Sequence, residues 1–123
     1  MKILLDTHIF LWALSAPEKL SKNHHNMLTS PTNALHLSSM SLVEMILKKD
    51  LGKLSFAFDP MQAAQSLGIY VLSYGGHDAL RLEELENHHK DPFDRMIISQ
   101  ALNNNMAIMT VDSAFKQYPC RLL

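Results

Sequence analysis

Met1-Lys2-Ile3-Leu4-Leu5-Asp6-Thr7-His8-Ile9-Phe10-Leu11-Trp12-Ala13-Leu14 is the stretch on which the fold turns. Its apolar run from Ile3 to Leu5 reads as a short strand buried on both faces, the kind found in parallel sheets, and Asp6 closes it. From Thr7 onward, the placement of Ile9, Phe10, Trp12, Ala13 and Leu14 predicts a short helix that ends before Pro17. A buried strand running directly into a helix opens a β-α unit.

The same order recurs downstream. A polar helix is predicted over Lys22 to Leu28, and Ser30-Pro31-Thr32-Asn33 forms a loop into a second strand at Ala34 to Ser38. The next helix is expected to begin at Ser41, with Val43, Ile46 and Leu47 on one side and Gly52 near its end. Asp59-Pro60 pairs a good N-cap with a proline tolerated in the first turn, so a helix starts there and runs to about Leu67. Ile69 to Leu72 is a third strand by its β-branched and aromatic content, with Gly75-Gly76 as the turn after it and a helix over about Asp78 to Leu85. Asp91-Pro92 repeats the cap-plus-proline signal before an amphipathic helix carrying Phe93, Ile97, Ile98, Ala101 and Leu102. Asn103-Asn104-Asn105 ends that helix, Ala107 to Thr110 is a fourth strand, and Arg121 to Leu123 is a candidate fifth. Strands that alternate with helices predict an α/β architecture of three layers: a central, mostly parallel sheet of four to five strands flanked by helices. No linker or repeat breaks the pattern, so residues 1–123 are expected to form a single domain.

Composition narrows the function. With 47% apolar and 19% charged residues in 123, the chain is that of an ordinary globular protein able to bury roughly two-thirds of its unfolded surface. The opening apolar run is too short for a signal peptide or a membrane span, and one cysteine, Cys120, cannot form an intrachain disulfide. The cytoplasm is the expected location. A net charge of -1 argues against a protein that coats nucleic-acid phosphates with many cations. Basic residues do gather at Lys48, Lys49 and Lys53, and again at His88, His89, Lys90 and Arg95. Either group can guide phosphate or form a solvated face.

In open α/β sheets, ligands collect beyond the carboxyl ends of the strands. Asp6 directly follows the first strand, Glu44 lies in the first turn of the helix after the second, Asp94 opens the Asp91-Pro92 helix, and Asp112 lies just past the fourth strand. All four therefore project from one edge of the sheet. Each also has a structural explanation: Ser41 with Glu44 is a capping box, Asp91 with Asp94 is a close variant, and Asp6 and Asp112 can serve as caps. Capping does not require convergence, however, and little lysine or arginine lies nearby, Arg95 being the nearest. Crowded carboxylates repel unless a cation intervenes. Oxygen-only ligands suit Mg²⁺ or Mn²⁺ over zinc, and such sites hydrolyse phosphodiesters by activating water. The seven histidines lack a zinc spacing, since His24-His25 and His88-His89 are adjacent pairs, and they read as surface residues. Trp12, Phe10 and the methionines read as core or dimer contacts ahead of base-stacking platforms, since their helical spacing suits packing.

These residues resemble the PIN-domain ribonucleases, in particular the VapC-like toxins of toxin-antitoxin pairs. The matching segments are Leu4-Leu5-Asp6-Thr7-His8 with Leu11-Trp12, Ser39 to Glu44 with Lys48 and Gly52-Lys53-Leu54, His88 to Arg95, and Thr110-Val111-Asp112. Asp91-Pro92-Phe93-Asp94-Arg95 followed by Ala101 is the most specific of them. Val43 stands where relatives often carry tryptophan, and Ser99 where alanine is commoner. The resemblance implies a Mg²⁺-dependent endoribonuclease with Asp6, Glu44, Asp94 and Asp112 as catalytic metal ligands, acting on an RNA substrate. It also implies a homodimer, a cognate antitoxin and a larger toxin-antitoxin assembly. Asp94 is preferred to Asp91 as ligand because Asp91 has the stronger claim as N-cap, with an outer role left to it. Thr7 and Thr110 are candidates to hydrogen-bond the acids or metal waters, or local caps. Arg95 either contacts RNA phosphate or pairs with an acid.

Two alternatives compete. A phosphatase or phospho-acceptor domain can use Asp6 alone, although haloacid-dehalogenase-type chemistry wants a second aspartate two residues on, where this chain has His8. A non-catalytic PIN scaffold binding RNA or protein is the other, and intact acids disfavour it because an RNA-binding surface gains by losing negative charge.

Overall fold

In the computed structural model, which describes residues 1–123 throughout, the chain runs β1 (Lys2–Leu5), α1 (Thr7–Ser15), α2 (Lys22–Thr29), β2 (Ala34–Ser38), α3 (Ser39–Asp50), α4 (Pro60–Ser66), β3 (Ile69–Leu72), α5 (Gly76–Leu80), α6 (Pro92–Asn103) and β4 (Ala107–Met109). Short 3₁₀ turns occupy Pro17–Lys19, Arg81–Glu84 and Ser113–Gln117. The strands form one sheet in the order β3-β2-β1-β4, every pairing parallel.

The alternation of β1 sorts the layers. Ile3 and Leu5 face one way and pack with Ile9, Phe10, Leu35, Leu37, Met45 and Ala64, beneath α1, α2, α3 and α4. Leu4 faces the other way and packs with Ile97, Ile98, Ala101, Ile108, Phe115 and Tyr118, beneath α6 and the last 3₁₀ turn. Because β1 is buried on both faces, its sequence is a continuous apolar run. Phe10 lies wholly in the core, whereas Trp12 is only partly buried against it.

Several boundaries differ from the sequence expectation. Ser38 caps α3 by accepting the Met40 amide at 3.1 Å, so the helix starts two residues before Ser41 and Ser41-Glu44 is no capping box. The apolar side of α3 faces outward: Val43, Ile46 and Leu47 are 41%, 45% and 47% exposed, whereas Ser41, Glu44 and Met45 are buried. Periodicity divides the helix into two faces, and the buried one packs Leu42 and Met45 on the core beside Ser41 and Glu44, whose polar groups Thr7 and Lys48 satisfy. Gly75 caps α5 rather than lying in a turn, and α5 stops at Leu80 where the chain tightens to 3₁₀. The fifth strand is reduced to a parallel bridge between Ile108 and Leu122.

At the C-terminal end of α3, Gly52 adopts φ +71°, the left-handed conformation a β-carbon disfavours. The Gly52 amide bonds Lys49 O at 3.0 Å and the Lys53 amide bonds Lys48 O at 2.8 Å. This double closure of the helix end folds the chain back so that Lys53 returns toward Lys48. No helix is long and apolar enough to cross a membrane.

Candidate metal centre

In the order β3-β2-β1-β4 the chain direction of assembly reverses beside β1, so the crevice between the carboxyl ends of β1 and β4 is the switch point where ligands gather. Asp6 stands at that crevice. It occupies the N-cap position of α1 yet makes no side-chain capping bond. Instead Thr110, just past β4, donates its hydroxyl to Asp6 Oδ2 at 2.8 Å, while the buried Oδ1 has no partner at all. A carboxylate 3% exposed with one orphaned oxygen is not explained by capping. Burial raises the Asp6 pKa above its ordinary value, against the Thr110 hydrogen bond and the nearby His8, and Glu44 pushes it further up.

Glu44 lies in the second turn of α3 and is buried. Thr7 donates to Glu44 Oε1 at 2.7 Å and shares a hydrogen bond with Ser41 Oγ at 2.8 Å. Lys48, one turn on, reaches Glu44 Oε2 at 2.6 Å. The expectation of scarce neutralising cations is therefore wrong in one respect: the nearest cation is Lys48, not Arg95, because Glu44 and Lys48 share a helix face. Burial lowers the Lys48 pKa, but the Glu44 hydrogen bond and the fields of Glu44, Asp91 and Asp94 raise it overall. Arg95 pairs with no acid, and its buried Nε is unpartnered.

Asp91 caps α6, accepting the Phe93 amide at 2.8 Å and the Asp94 amide at 3.4 Å. Asp94 is thereby released from capping. It is buried, and its carboxyl is pushed up to about 8, first by burial and then by Asp6, Asp91, Glu44 and Asp112. Repulsion from each of the other acids expresses their convergence in energetic form. Asp112 caps the last 3₁₀ turn through Oδ1, which accepts the Ala114 amide at 2.9 Å, and so keeps Oδ2 for the site. The Thr110 hydroxyl oxygen also accepts the Asp112 amide at 3.0 Å, so one threonine orients both strand-end aspartates.

One residue escaped the sequence reading. His89, taken as a surface residue, is half-buried, with Nε2 2.9 Å from Asp94 Oδ2 and 3.4 Å from Asp112 Oδ2. Its Nδ1 accepts the Asp91 amide at 3.1 Å, so the ring proton is on Nε2 and is directed at the two carboxylates. Phe115 packs edge-on against the ring at 5.9 Å. His24 and His36 are further exceptions: His24 is buried and bonds the Leu123 carbonyl at 2.7 Å through Nε2, and His36 is half-buried on β2. Neighbouring His88 does face out, against Glu86 at 2.7 Å.

The donor set fits a hard divalent cation. Asp94 and Asp112 each bring a carboxylate oxygen within 4.8 Å of the other and of the His89 N–H that orients them, and Asp6 Oδ1 supplies a buried oxygen with nothing to bind. A cation there would offset the burial and the mutual repulsion that together push the Asp94 carboxyl up.

Fold and site together define an α/β protein with an acidic centre at its sheet switch point. The chain belongs to the PIN domain family, whose model matches residues 3–119. In fold it is similar to a chain of VapBC2 from Rickettsia felis bound to a promoter DNA fragment, with TM-score 0.71 and 20% identity over 100% of this chain and 98% of that one. It is likewise similar to a chain of DNA-bound VapBC from Salmonella typhimurium, with TM-score 0.69 and 17% identity over 100% and 97%. A chain of FitAcB from Neisseria gonorrhoeae gives TM-score 0.68 and 15% identity over 98% and 96%. Among curated proteins, none is similar enough in sequence to match.

Proposed function

We propose that this chain is a Mg²⁺-dependent endoribonuclease and the toxin of a toxin-antitoxin pair, with Asp6, Glu44, Asp94 and Asp112 as its metal-holding acids. The observation that carries the reading is Asp6: a buried carboxylate at the switch point, free of capping and with one oxygen unpartnered. Membership of the PIN family and the fold likeness to chains of VapBC complexes support it.

Asp6, Asp94 and Asp112 would hold the ion, with Glu44 contributing through the oxygen it now gives to Lys48. When bound, Mg²⁺ supplies Lewis-acid activation of water and neutralises charge at the phosphoryl group; Mn²⁺ can replace it. The protein's share is position and charge. Thr110 fixes Asp6, Thr7 fixes Glu44, Asp91 holds the start of α6 so that Asp94 points inward, and His89 steers Asp94 and Asp112. Arg95, which pairs with no acid, is left to meet RNA phosphate.

The outward apolar face of α3, with Val43, Ile46 and Leu47, supports a covering protein surface, either the second copy of a homodimer or the antitoxin. The neighbouring structures are VapBC, FitAB and toxin-antitoxin complexes, three of them with DNA, which supports a cognate antitoxin and a larger assembly for this chain.

Purified protein incubated with RNA and with a phosphate monoester, each with Mg²⁺ or EDTA, tests the reading. Mg²⁺-dependent RNA cleavage that is lost in Asp6→Asn and Asp94→Asn, both still folded, is expected. Turnover of the monoester alone would favour a phosphatase using Asp6, and undiminished RNA cleavage by both variants would overturn the site.

A further inference from the structure

Beside the acidic centre, between α1 and the C-terminal half of α3, lies a cavity of about 440 Å³. Its wall is mixed in chemistry. Thr7 and Glu44 join it to the acids, Leu11, Trp12 and Met45 give it an apolar floor, and Lys19 and Lys53 supply two cations, with Lys48 held on Glu44. The volume lies in the range of small-ligand pockets, roughly 300–1,000 Å³.

We propose that this cavity is a subsite for one unstacked nucleotide of a single-stranded RNA substrate, adjacent to the phosphate that is cleaved. The proposal rests on the nuclease reading above and adds to it the place where the substrate's base is held. A nucleotide carries both chemistries: an anionic phosphate and a flat ring with a π-face. Lysines beside a metal-holding centre suit the phosphates, and an aromatic floor suits the ring. Trp12 is partly buried on the core, which fixes its indole, and Lys19 Nζ lies 5.9 Å from its centroid. His8 lies exposed on the same wall, its ring 6.4 Å from that of Trp12. The two bonds that close α3 around Gly52 return the backbone of Lys53 toward that of Lys48, whose ammonium is itself held by Glu44. A duplex cannot offer an isolated ring, so the subsite selects single strands, loops and bulges. An acidic peptide would match the lysines but would meet Glu44 without a ring for the indole.

Trp12 is the chain's only tryptophan, so its emission reports directly on this cavity. In the uncleaving Asp94→Asn variant, a tetraribonucleotide is expected to quench that emission saturably, whereas an abasic tetramer and tetraglutamate leave it unchanged. Lys53→Glu is expected to raise the half-saturating concentration roughly tenfold at low salt. By fluorescence anisotropy of labelled RNA, Trp12→Leu should weaken binding roughly tenfold or more, while Trp12→Phe, which keeps a ring and the packing, restores most of it. Unchanged Trp12 emission at RNA concentrations that saturate wild-type cleavage would overturn the subsite and leave the nuclease standing. Saturable quenching by RNA without wild-type cleavage would do the reverse. Quenching by tetraglutamate and not by RNA would make the cavity a protein-docking groove and end the proposal.

Discussion

Thr110 donates its hydroxyl to Asp6 Oδ2 at 2.8 Å, a bond between residues 104 apart in sequence that ties the end of β4 to the end of β1. The same oxygen receives the Asp112 amide, so Thr110 couples two strand-end acids. Replacing Thr110 by valine keeps the shape and removes both bonds. Thr110→Val is expected to cost about 1–3 kcal/mol of stability, because Asp6 is buried with its other oxygen already unpartnered. Mn²⁺ affinity should fall roughly 10- to 100-fold, the usual effect of losing a group that orients a ligand. Chemical denaturation and calorimetric titration measure the two effects separately.

His89 makes a different contribution. With Nδ1 occupied by the Asp91 amide, the ring presents an N–H to Asp94 and Asp112 and has no lone pair to offer a metal without losing a proton. It is therefore a positioning residue. His89→Gln, whose terminal amide can replace the Nε2–H, should keep Mn²⁺ affinity within a few-fold. His89→Phe preserves the packing on Phe115 and should lose roughly tenfold or more. Electron paramagnetic resonance of bound Mn²⁺ adds a direct check. Nitrogen coupling to His89 would contradict this assignment.

Much of this was legible in the sequence, for identifiable reasons. β2 and β3 fall at the predicted Ala34–Ser38 and Ile69–Leu72, since strands buried in a parallel sheet are short apolar runs between turn residues. Asp91-Pro92 marks the start of α6 because cap and proline act locally. The orientation of α3 was not legible. Its two faces follow from periodicity, but which one is buried depends on Thr7, 37 residues away from Glu44. His89 was missed because His88-His89 was weighed as a pair of helix neighbours, whereas the segment before Asp91 is irregular and sends the two rings in opposite directions. The orphaned oxygen of Asp6 is a tertiary fact with no sequence signal.

Lys48 lies 2.6 Å from the buried Glu44 and supplies its positive partner. Methionine keeps much of its stem packing and removes the charge. Without metal, Lys48→Met should melt at a lower temperature than wild type, since Glu44 loses its partner in a buried setting. Mg²⁺ should bind the variant more tightly, by roughly tenfold at low salt, because a competing positive charge has gone. Weaker Mg²⁺ binding by a folded Lys48→Met protein would mean that Lys48 orients Glu44 and does not compete for it.

Asp94 provides a pH signature. Its carboxyl is pushed from an ordinary 3.8 up to about 8, chiefly by burial and then by Asp6, Asp91, Glu44 and Asp112. Below pH 3.8 the group is protonated in folded and unfolded chains alike and contributes no pH dependence. Between 3.8 and about 8 the unfolded chain has released this proton and the folded chain still binds it, so stability falls as pH rises across that window and levels off above it. Asp94→Asn removes the titration. In metal-free buffer the variant should therefore gain on wild type in melting temperature from pH 4 to pH 8, with the difference largest at the alkaline end. Saturating Mg²⁺ should reverse the order at pH 8, because only wild type has the ionised carboxylate that the cation stabilises. A gap between the two proteins that stays constant with pH would show that Asp94 does not carry this proton, and Mg²⁺ stabilising both equally would show that it does not hold the ion.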